Sequence, residues 1–392
     1  MKRTLSKLLA LVLIVTVIGA MAAVPAMASE SPSNLNNSDV TITKHLVLIG
    51  TEYAPEVTFT YTIANGSAVG GSTGNYPIYA GTLETPITAT VAYSSSSTVS
   101  DNFTSTDTAL NGQHYADGAI TVSGITDPTM YERPGIYRYT ITESAVSAPY
   151  TIEDDDVRYI DVYVEYTTVV GLGDSLTVSK VILYDSALSY STDGTTSSDG
   201  GTLGADDKTT DFTNSYETHS LTFSKTVTGN QGDKTKEFTF HVVADTSTQF
   251  TAGDMFKITM TNVSFPEGSE LSSTTIFVTG EQLNNGFDLL LKNDSSIVIE
   301  GIPATHKVTI TENPEGYTQS FAGTGSLSTD TTQHSATATL SSDATVEFQN
   351  TLTGVIPTGI LLTVAPFAVG LLLFGSIVIF LAAKKRRAED ED

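Results

Sequence analysis

Alternation between apolar residues and Thr or Ser along short segments is the feature that most constrains the fold of this chain. Residues 39–49 read DVTITKHLVLI, and residues 220–228 read SLTFSKTVT. Because successive side chains of a β-strand point to opposite faces, a period of two indicates strands with one face in a core. Valine, threonine and tyrosine, which suit pleated strands, are frequent throughout. The sequence therefore predicts an all-β fold.

Six polar residues interrupt this alternation, because each falls on the apolar face of its predicted strand. Lys44, for example, shares its face with Ile42 and Leu46. The same parity selects five further residues, Glu143, Asn214, Lys225, Glu312 and Asn350. A single polar residue at a strand end often reaches solvent, which is the simpler explanation for any one of them. The order Lys, Glu, Asn occurs twice, however, and this repeat favours a shared buried site in each half.

Burial of these three side chains together favours a covalent reaction between two of them. A desolvated lysine loses its proton easily and becomes a nucleophilic amine, whereas a buried glutamate has a raised pKa. The glutamic acid can polarise the asparagine carbonyl and transfer protons while the amine attacks. Ammonia leaves, and an amide bond joins lysine to asparagine in a reaction that runs once.

Both ends of the chain carry signals for export and membrane attachment. Residues 1–28 contain basic residues, an apolar stretch and a final Ala-x-Ala pattern, which predict a secretory signal peptide; a short N-terminal anchor is the alternative. Residues 360–383 are apolar and long enough to cross a ~30 Å hydrocarbon core as a transmembrane helix. Residues 384–392 begin with four basic residues, which is typical of a cytoplasmic tail. We therefore expect the body of the chain to be extracellular.

The extracellular body divides at residues 185–211, a segment rich in Ser, Gly and Asp. After this segment the opening of the first half recurs, as a lysine-containing strand, a turn and an alternating strand. This weak repeat predicts two domains, at residues 39–217 and 218–354, after a linker at residues 29–38.

These features resemble the backbone pilins of Gram-positive bacteria, in particular the two-domain shaft pilins of group A streptococci. The resemblance is strongest in FTNSYETHSLTFSKTVTGNQGDKTKEFTF, residues 212–240, where the asparagine of one domain precedes the lysine of the next. It implies two tandem immunoglobulin-like β-sandwich domains, each with a self-generated Lys–Asn isopeptide bond that a glutamate assists by shuttling protons. Carried over to this chain, the sets are Lys44, Asn214 and Glu143 in the first domain and Lys225, Asn350 and Glu312 in the second.

Residues 355–359, VIPTG, resemble the cell-wall sorting signal that sortase transpeptidases recognise. The core of this motif is Ile356, Pro357, Thr358 and Gly359. It departs from the commonest form, Leu-Pro-x-Thr-Gly, because threonine follows proline directly. The resemblance implies cleavage between Thr358 and Gly359, so that the apolar span holds the precursor only until transfer.

Polymerisation also needs an amine that accepts the Thr358 carboxyl group. Lys208 lies six residues before Asn214, close to where this family carries its pilin lysine. A solvated loop lysine without a role is the simpler alternative, since exposed lysines are common. Lys180 is the rival acceptor, although it is expected to lie inside a strand.

Composition and residue spacing exclude several other functions. The chain has 19 basic and 44 acidic residues, a net charge of −25 that would repel nucleic acid and anionic lipid. It has no cysteine, which excludes disulfides, thiolate metal sites and Cys-based thioesters. The six histidines lack zinc-site spacing, and the acidic run at residues 153–156 lacks the EF-hand spacing for Ca²⁺. We expect no metal, no cofactor and no enzyme activity beyond single-turnover self-cross-linking.

The sequence thus predicts a structural subunit of a covalently polymerised pilus on the cell wall of a Gram-positive bacterium, with a precursor held at the membrane. The implied partners are a sortase, identical subunits joined head to tail, minor pilins, peptidoglycan and a host surface. A monomeric wall-anchored adhesin, or a minor pilin with the same domains, is the alternative. A surface-anchored enzyme has no supporting constellation of residues.

Overall fold

The computed structural model of the chain describes residues 39–69, 78–169, 173–185, 208–269, 271, 275–354 and 371–380. Most of these residues lie in β-strands, which confirms the predicted all-β class. The first ten strands are β1 Val40–Ile49, β2 Val57–Asn65, β3 Ile78–Ala80, β4 Ile87–Tyr93, β5 Val99–Ser100, β6 His114–Val122, β7 Gly135–Glu143, β8 Tyr150–Ile152, β9 Val157–Val169 and β10 Gly173–Tyr184. The next ten are β11 Asp211–Thr228, β12 Phe238–Ala244, β13 Met255–Ser264, β14 Thr275–Thr279, β15 Phe287–Pro303, β16 Lys307–Glu312, β17 Thr318–Thr324, β18 Ser326–Asp330, β19 Ser335–Thr339 and β20 Ala344–Thr351. A 3₁₀-helix covers Pro128–Met130, and helix α1 covers Gly280–Asn285.

Two sheets enclose the core of the first half. In one sheet, β1 pairs antiparallel with β6 and parallel with β11. The other sheet has the strand order β10-β9-β7-β2-β4. Because the strands alternate, each sheet offers one apolar face, and these faces form a single buried cluster. Its members include Ile42, Leu46, Tyr61, Tyr139 and Phe212.

The second half is built around β15, the longest of its own strands. The N-terminal part of β15, residues 287–291, pairs with β12, whereas residues 295–303 pair with β11. Asp294 lies between these two parts in the left-handed region, with φ +63°, where the strand changes partner. Strand β20 pairs parallel with β11 on its other side. The core of this half includes Phe223, Phe240, Ile297, Ile310 and Phe348.

Strand β11 is continuous through both halves. Residues 211–217 pair with β1, and residues 221–228 pair with β20. Tyr216 belongs to the core of the first half, whereas Leu221 belongs to the core of the second. The predicted domain boundary, between residues 217 and 218, therefore lies inside one extended strand.

Hydrogen bonds other than those of the β11 strand pairs also join the two halves. The Glu56 N–H donates to Asp254 Oδ1 at 2.9 Å, and the Gly253 N–H donates to the Glu56 carboxylate at 2.9 Å. The Ala304 N–H donates to the Glu217 carbonyl oxygen at 2.9 Å. These contacts fix the halves against each other on more than one side of the shared strand.

Several predictions fall on parts of the chain that the structure does not describe. The signal peptide, the linker at residues 29–38, the sorting motif at residues 355–359 and the tail at residues 384–392 all lie outside the described residues. Of the predicted membrane span, residues 371–380 are described, and they are helical. Among the described helices, none combines the length and apolar character that crossing a membrane requires.

Candidate cross-linking sites

The first candidate site forms where β1 and β11 lie side by side and β7 faces them from the other sheet. Lys44 pairs in register with Phe212, so that Asn214 lies opposite Leu46, two residues further along β1. Strand alternation points Lys44 and Asn214 into the core, where both are fully buried. Glu143 is the last residue of β7, and it is only 2% exposed.

Glu143 contacts both of its predicted partners. Lys44 Nζ lies 3.0 Å from Glu143 Oε2 and 3.2 Å from Oε1. Asn214 Nδ2 donates to Glu143 Oε1 at 2.6 Å. The side-chain oxygen of Asn214 is buried, and no donor in the described part of the chain reaches it. This oxygen is the atom that an acid would polarise during attack on the carboxamide.

Burial makes Lys44 a better nucleophile than an ordinary lysine. Burial lowers the pKa of Lys44 to about 8, although the negative charge of Glu143 and its hydrogen bond act in the opposite direction. The Lys44 ammonium also lies over the Phe59 ring, 5.1 Å from its centroid. A lower pKa increases the fraction of neutral amine, which is the form that attacks a carbonyl carbon.

The second candidate site repeats this arrangement between β11 and β20. Lys225 pairs in register with Phe348, and Asn350 lies opposite Val227, again two residues further along. Glu312 is the last residue of β16, as Glu143 is of β7. Lys225 and Asn350 are fully buried, and Glu312 is nearly so.

The contacts in the second site converge on one carboxylate oxygen. Lys225 Nζ lies 2.9 Å from Glu312 Oε1, and Asn350 Nδ2 donates to the same oxygen at 2.7 Å. Burial lowers the pKa of Lys225 to about 8, against the opposing charge of Glu312. No donor among the described residues reaches Asn350 Oδ1. The structure therefore brings all six predicted side chains into two triads, in each of which a buried glutamate contacts a buried lysine and a buried asparagine.

Sequence reasoning missed polar neighbours at both sites. Gln319 Nε2 donates to Glu312 Oε2 at 2.5 Å in the second site. In the first site, the Arg158 guanidinium lies over the Phe212 ring and pairs with Asp154, 2.8 Å from Nη2 to Oδ2. Strand parity would have selected Arg158, which shares its face of β9 with Ile160 and Val162. Gln319 shares its face of β17 with Phe321 as the one strongly apolar residue, so the signal there is weaker.

The two lysines considered for intersubunit linkage lie near each other at one edge of the first half. Lys208 is exposed and forms an isolated bridge with Tyr184 at the end of β10. Lys180 lies within β10, as expected, at a bulge where the register with β9 shifts. It is half-buried, 4.4 Å above the Tyr163 ring, and burial lowers its pKa. Thr358, the predicted acyl donor, lies outside the described residues.

The acidic run at residues 153–156 supports the first site instead of forming a separate one. Glu153 accepts a hydrogen bond from the Ser215 hydroxyl, and Asp154 Oδ1 accepts one from the Thr213 N–H at 3.3 Å. The Asp156 carbonyl oxygen accepts the Glu143 N–H at 2.7 Å, which fixes the backbone of that acid. Across the residues that the structure describes, no three His, Asp or Glu side chains are placed to hold a metal ion.

Known proteins resemble this chain both in sequence and in fold. A pilin from Streptococcus pyogenes serotype M1 is 24% identical over 372 residues, which cover 89% of this chain and 92% of that pilin. The crystal structure of the major pilin from Streptococcus pyogenes superposes with a TM-score of 0.53 at 20% identity, over 81% of this chain and 100% of that one. This chain is similar to the major pilins of Streptococcus pyogenes. At this level of identity the structural match establishes a shared fold.

Two further matches cover parts of the chain. A domain of unknown function, DUF7601, matches residues 219–352, which include the whole second triad. The pilus tip adhesin Cpa of Streptococcus pyogenes is 32% identical over 146 residues, which cover 36% of this chain but only 18% of the adhesin. The similarity to the pilin therefore spans nearly the whole length of both proteins, whereas the similarity to the adhesin is local.

Proposed function

We propose that this chain is the shaft subunit of a covalently polymerised pilus on the surface of a Gram-positive bacterium. The observation that carries the proposal is the repeated geometry of the two triads. In each, a buried lysine and a buried asparagine lie on adjacent parallel strands with the same two-residue offset, and a buried glutamate contacts both. Similarity to a pilin over 89% of the chain supports the same conclusion.

Each triad forms one isopeptide bond after its domain folds. The lysine ammonium transfers a proton to the glutamate, and the neutral Nζ attacks the asparagine Cγ while the acid polarises Oδ1. The Cγ–Nδ2 bond then breaks, and ammonia leaves. An ammonium, a carboxylate and a carboxamide thus become an amide, ammonia and a carboxylic acid, so that the glutamate keeps one proton. No cofactor is needed, and the reaction occurs once in each domain, so the chain is not an enzyme with turnover.

Assembly uses groups outside the triads. A sortase cleaves after Thr358 and holds the chain as an acyl-enzyme, and the Lys208 amine of the next subunit releases it. The subunits are joined head to tail into a filament, because such a heterologous linkage does not close on itself. Lys208 is the better acceptor, since it is exposed, whereas Lys180 is half-buried against Tyr163. The signal peptide, the temporary membrane span and attachment to peptidoglycan complete this route, with two immunoglobulin-like domains outside the cell.

A monomeric wall-anchored adhesin or a minor pilin is the second candidate. The local similarity to the tip adhesin Cpa, which is 32% identical over 146 residues, favours this candidate. This candidate shares the export and sorting signals and the internal bonds. It differs in forming no polymer of its own, although it would contact minor pilins or a host surface.

Surface extracts from cells that express the chain with its pilin sortase separate the two candidates. A shaft subunit gives a ladder of high-mass species that survives boiling in detergent. We expect Lys208→Ala to abolish the ladder, to leave monomer on the wall and to keep both internal bonds. Lys180→Ala is the matched control, and it should leave the ladder intact. If the ladder is lost only in Lys180→Ala, Lys180 is the acceptor lysine, and the chain is still a shaft subunit. Monomer alone in the parent strain would favour the adhesin.

A further inference from the structure

The second site contains one polar side chain that has no counterpart in the first. Gln319 lies on β17 directly opposite Asn350, and antiparallel partners project to the same face. The equivalent position opposite Asn214, on β8, is occupied by Ile152. Gln319 Nε2 donates to Glu312 Oε2 at 2.5 Å, so the acid of the second site has a hydrogen-bond donor that Ile152 cannot offer.

Gln319 is itself held by a histidine in an unusual backbone conformation. His334 Nδ1 lies 3.1 Å from Gln319 Oε1, and the backbone of His334 has φ +55°, in the left-handed region. The His334 carbonyl oxygen also accepts the Glu312 N–H at 2.9 Å. His334 therefore contacts both the backbone of the acid and the amide that binds its side chain. When His334 Nδ1 carries a proton, Gln319 must turn its oxygen to the histidine and its NH₂ group to Glu312.

This arrangement determines which oxygen of Glu312 can receive the lysine proton. Lys225 Nζ and Asn350 Nδ2 both contact Oε1, at 2.9 and 2.7 Å, whereas Gln319 occupies Oε2 with a donor. Lys225, the source of the proton, contacts Oε1, and a proton on Oε2 would have to compete with the hydrogen bond from Gln319, so the proton stays on Oε1. Oε1 is the oxygen beside the carboxamide that has to be polarised.

The first site lacks this constraint. Lys44 Nζ contacts both oxygens of Glu143, and its distance to Oε2, 3.0 Å, is shorter than its distance to Oε1, 3.2 Å. Asn214, however, contacts Oε1. Lys44 can therefore deliver its proton to either oxygen, and a proton on Oε2 is placed away from the carboxamide, so that the acid must reorient before it can act.

We propose that Gln319, oriented by His334, is a positioning residue that directs the transferred proton to Oε1 of Glu312 and so accelerates isopeptide formation in the second half. The step is the one given under Proposed function, on which this inference rests: Lys225 Nζ loses a proton to Oε1, its lone pair forms the bond to Asn350 Cγ, and ammonia leaves. Gln319 neither gains nor loses a proton. The loss of one neutral hydrogen bond changes the rate by about tenfold.

The test measures both bonds in one molecule. The mature chain, residues 29–358, is purified in denaturant before the bonds form, refolded, quenched at a series of times and mapped by peptide mass for each cross-link. We expect Gln319→Met, which keeps the side-chain length and removes the donor, to slow the Lys225–Asn350 bond about tenfold and to leave the Lys44–Asn214 bond unchanged. Ile152→Gln is the reciprocal variant, and it should accelerate the first bond.

An unchanged ratio of the two rates in Gln319→Met would overturn the role of Gln319. Equal slowing of both bonds would indicate impaired folding, and the response to Ile152→Gln would then decide, because no acceleration in that variant contradicts the inference. If neither bond forms in the parent chain, the cross-linking function itself is wrong. These outcomes keep the failure of the positioning role distinct from the failure of the proposed function.

Discussion

The two candidate sites have the same backbone frame and different neighbours. In both, the lysine pairs with a phenylalanine on the adjacent parallel strand, and the asparagine follows two residues later. In both, the glutamate ends a strand, and the residue that pairs with it on the adjacent strand is aromatic. That neighbour is Tyr61 in the first half and Phe240 in the second. The position opposite the asparagine holds Ile152 in the first half and Gln319 in the second.

Each site therefore has a further polar side chain beside the glutamate or the asparagine, but from a different direction. The first places a tyrosine hydroxyl beside the glutamate across the strand pair, whereas the second places an amide opposite the asparagine. Because the frame is constant and the neighbours vary, the parallel register is what brings lysine, glutamate and asparagine together. The neighbouring side chains, Tyr61 and Gln319, would then affect only the rate of the proposed reaction between lysine and asparagine. Three comparisons between the halves test this separation, from the largest expected effect to the smallest.

Removing either lysine should destabilise only the half that contains it. Each proposed bond would close a loop of more than a hundred residues, and the chain-entropy model used for disulfides assigns such a loop about 5 kcal/mol. Lys225→Ala should lower the melting temperature of the second half and expose it to trypsin, and Lys44→Ala should do the same to the first. Calorimetry and limited proteolysis measure both effects.

Lys257→Ala is the matched control for these variants. Lys257 forms an exposed ion pair with Glu300, 3.1 Å apart, and such pairs contribute less than about 1 kcal/mol. A Lys225→Ala chain that melts and resists trypsin like Lys257→Ala would show that the second bond carries no structural load. Strand β11 belongs to both halves. If a lysine variant also lowers the stability of the opposite half, the size of that loss measures the coupling between the halves.

The strands and both triads could be predicted from sequence because alternation is a local signal. Lys44, Asn214 and Glu143 were identified by parity alone, and the structure places them in contact. Parity states which face a side chain occupies, and a buried polar residue must find a partner on that face. The repeated order of residues indicated one shared site in each half, and the resemblance to backbone pilins implied which side chains pair.

Pairing between strands could not be predicted in the same way. The sequence contains no signal for the parallel pairing of β1 with β11, which joins residues far apart in the chain. The continuity of β11 was also missed, because a change of partner within a strand leaves its alternation intact. Gln319 escaped notice for a different reason. Its strand has only Phe321 as a strongly apolar residue on the same face, so the parity there rests on a short segment.

Removing either glutamate should prevent one bond and leave the other. Proton transfer by a positioned acid contributes about a hundredfold to ten-thousandfold in rate. Glu143→Ala should therefore give a purified chain that has lost one ammonia in place of two, with Lys44 and Asn214 unlinked. Glu312→Ala should give the same mass with Lys225 and Asn350 unlinked. Intact mass and peptide mapping separate the two cases.

Glu315→Ala is the control for these glutamate variants, because Glu315 is exposed and pairs with Lys236 on the surface. It should retain the loss of two ammonia molecules. A parent chain with the full calculated mass would end the isopeptide interpretation for both halves. Loss of a single ammonia in the parent would restrict it to one half and would show that the shared frame is not sufficient.

The smallest expected effect concerns the aromatic neighbour of the glutamate. Burial, and then the charge of Glu143, raise the pKa of Tyr61, so its hydroxyl stays protonated. This hydroxyl is buried and makes no hydrogen bond of normal geometry within the described part of the chain. Tyr61→Phe should therefore change the stability of the first half by less than about 1 kcal/mol, since no formed hydrogen bond is lost. The same change removes a neutral donor near the acid that the Lys44–Asn214 reaction needs. We expect that bond to form up to about fivefold more slowly in Tyr61→Phe, while the Lys225–Asn350 bond keeps its rate.

Phe240→Tyr is the reciprocal change, and its hydroxyl would enter a fully packed aromatic cluster. It should cost stability without accelerating the second bond, because Lys225, Asn350 and Gln319 already occupy both oxygens of Glu312. Acceleration of the second bond by Phe240→Tyr would show that the hydroxyl acts on the acid at either site. The different neighbours of the two glutamates would then not explain a difference in rate between the two bonds.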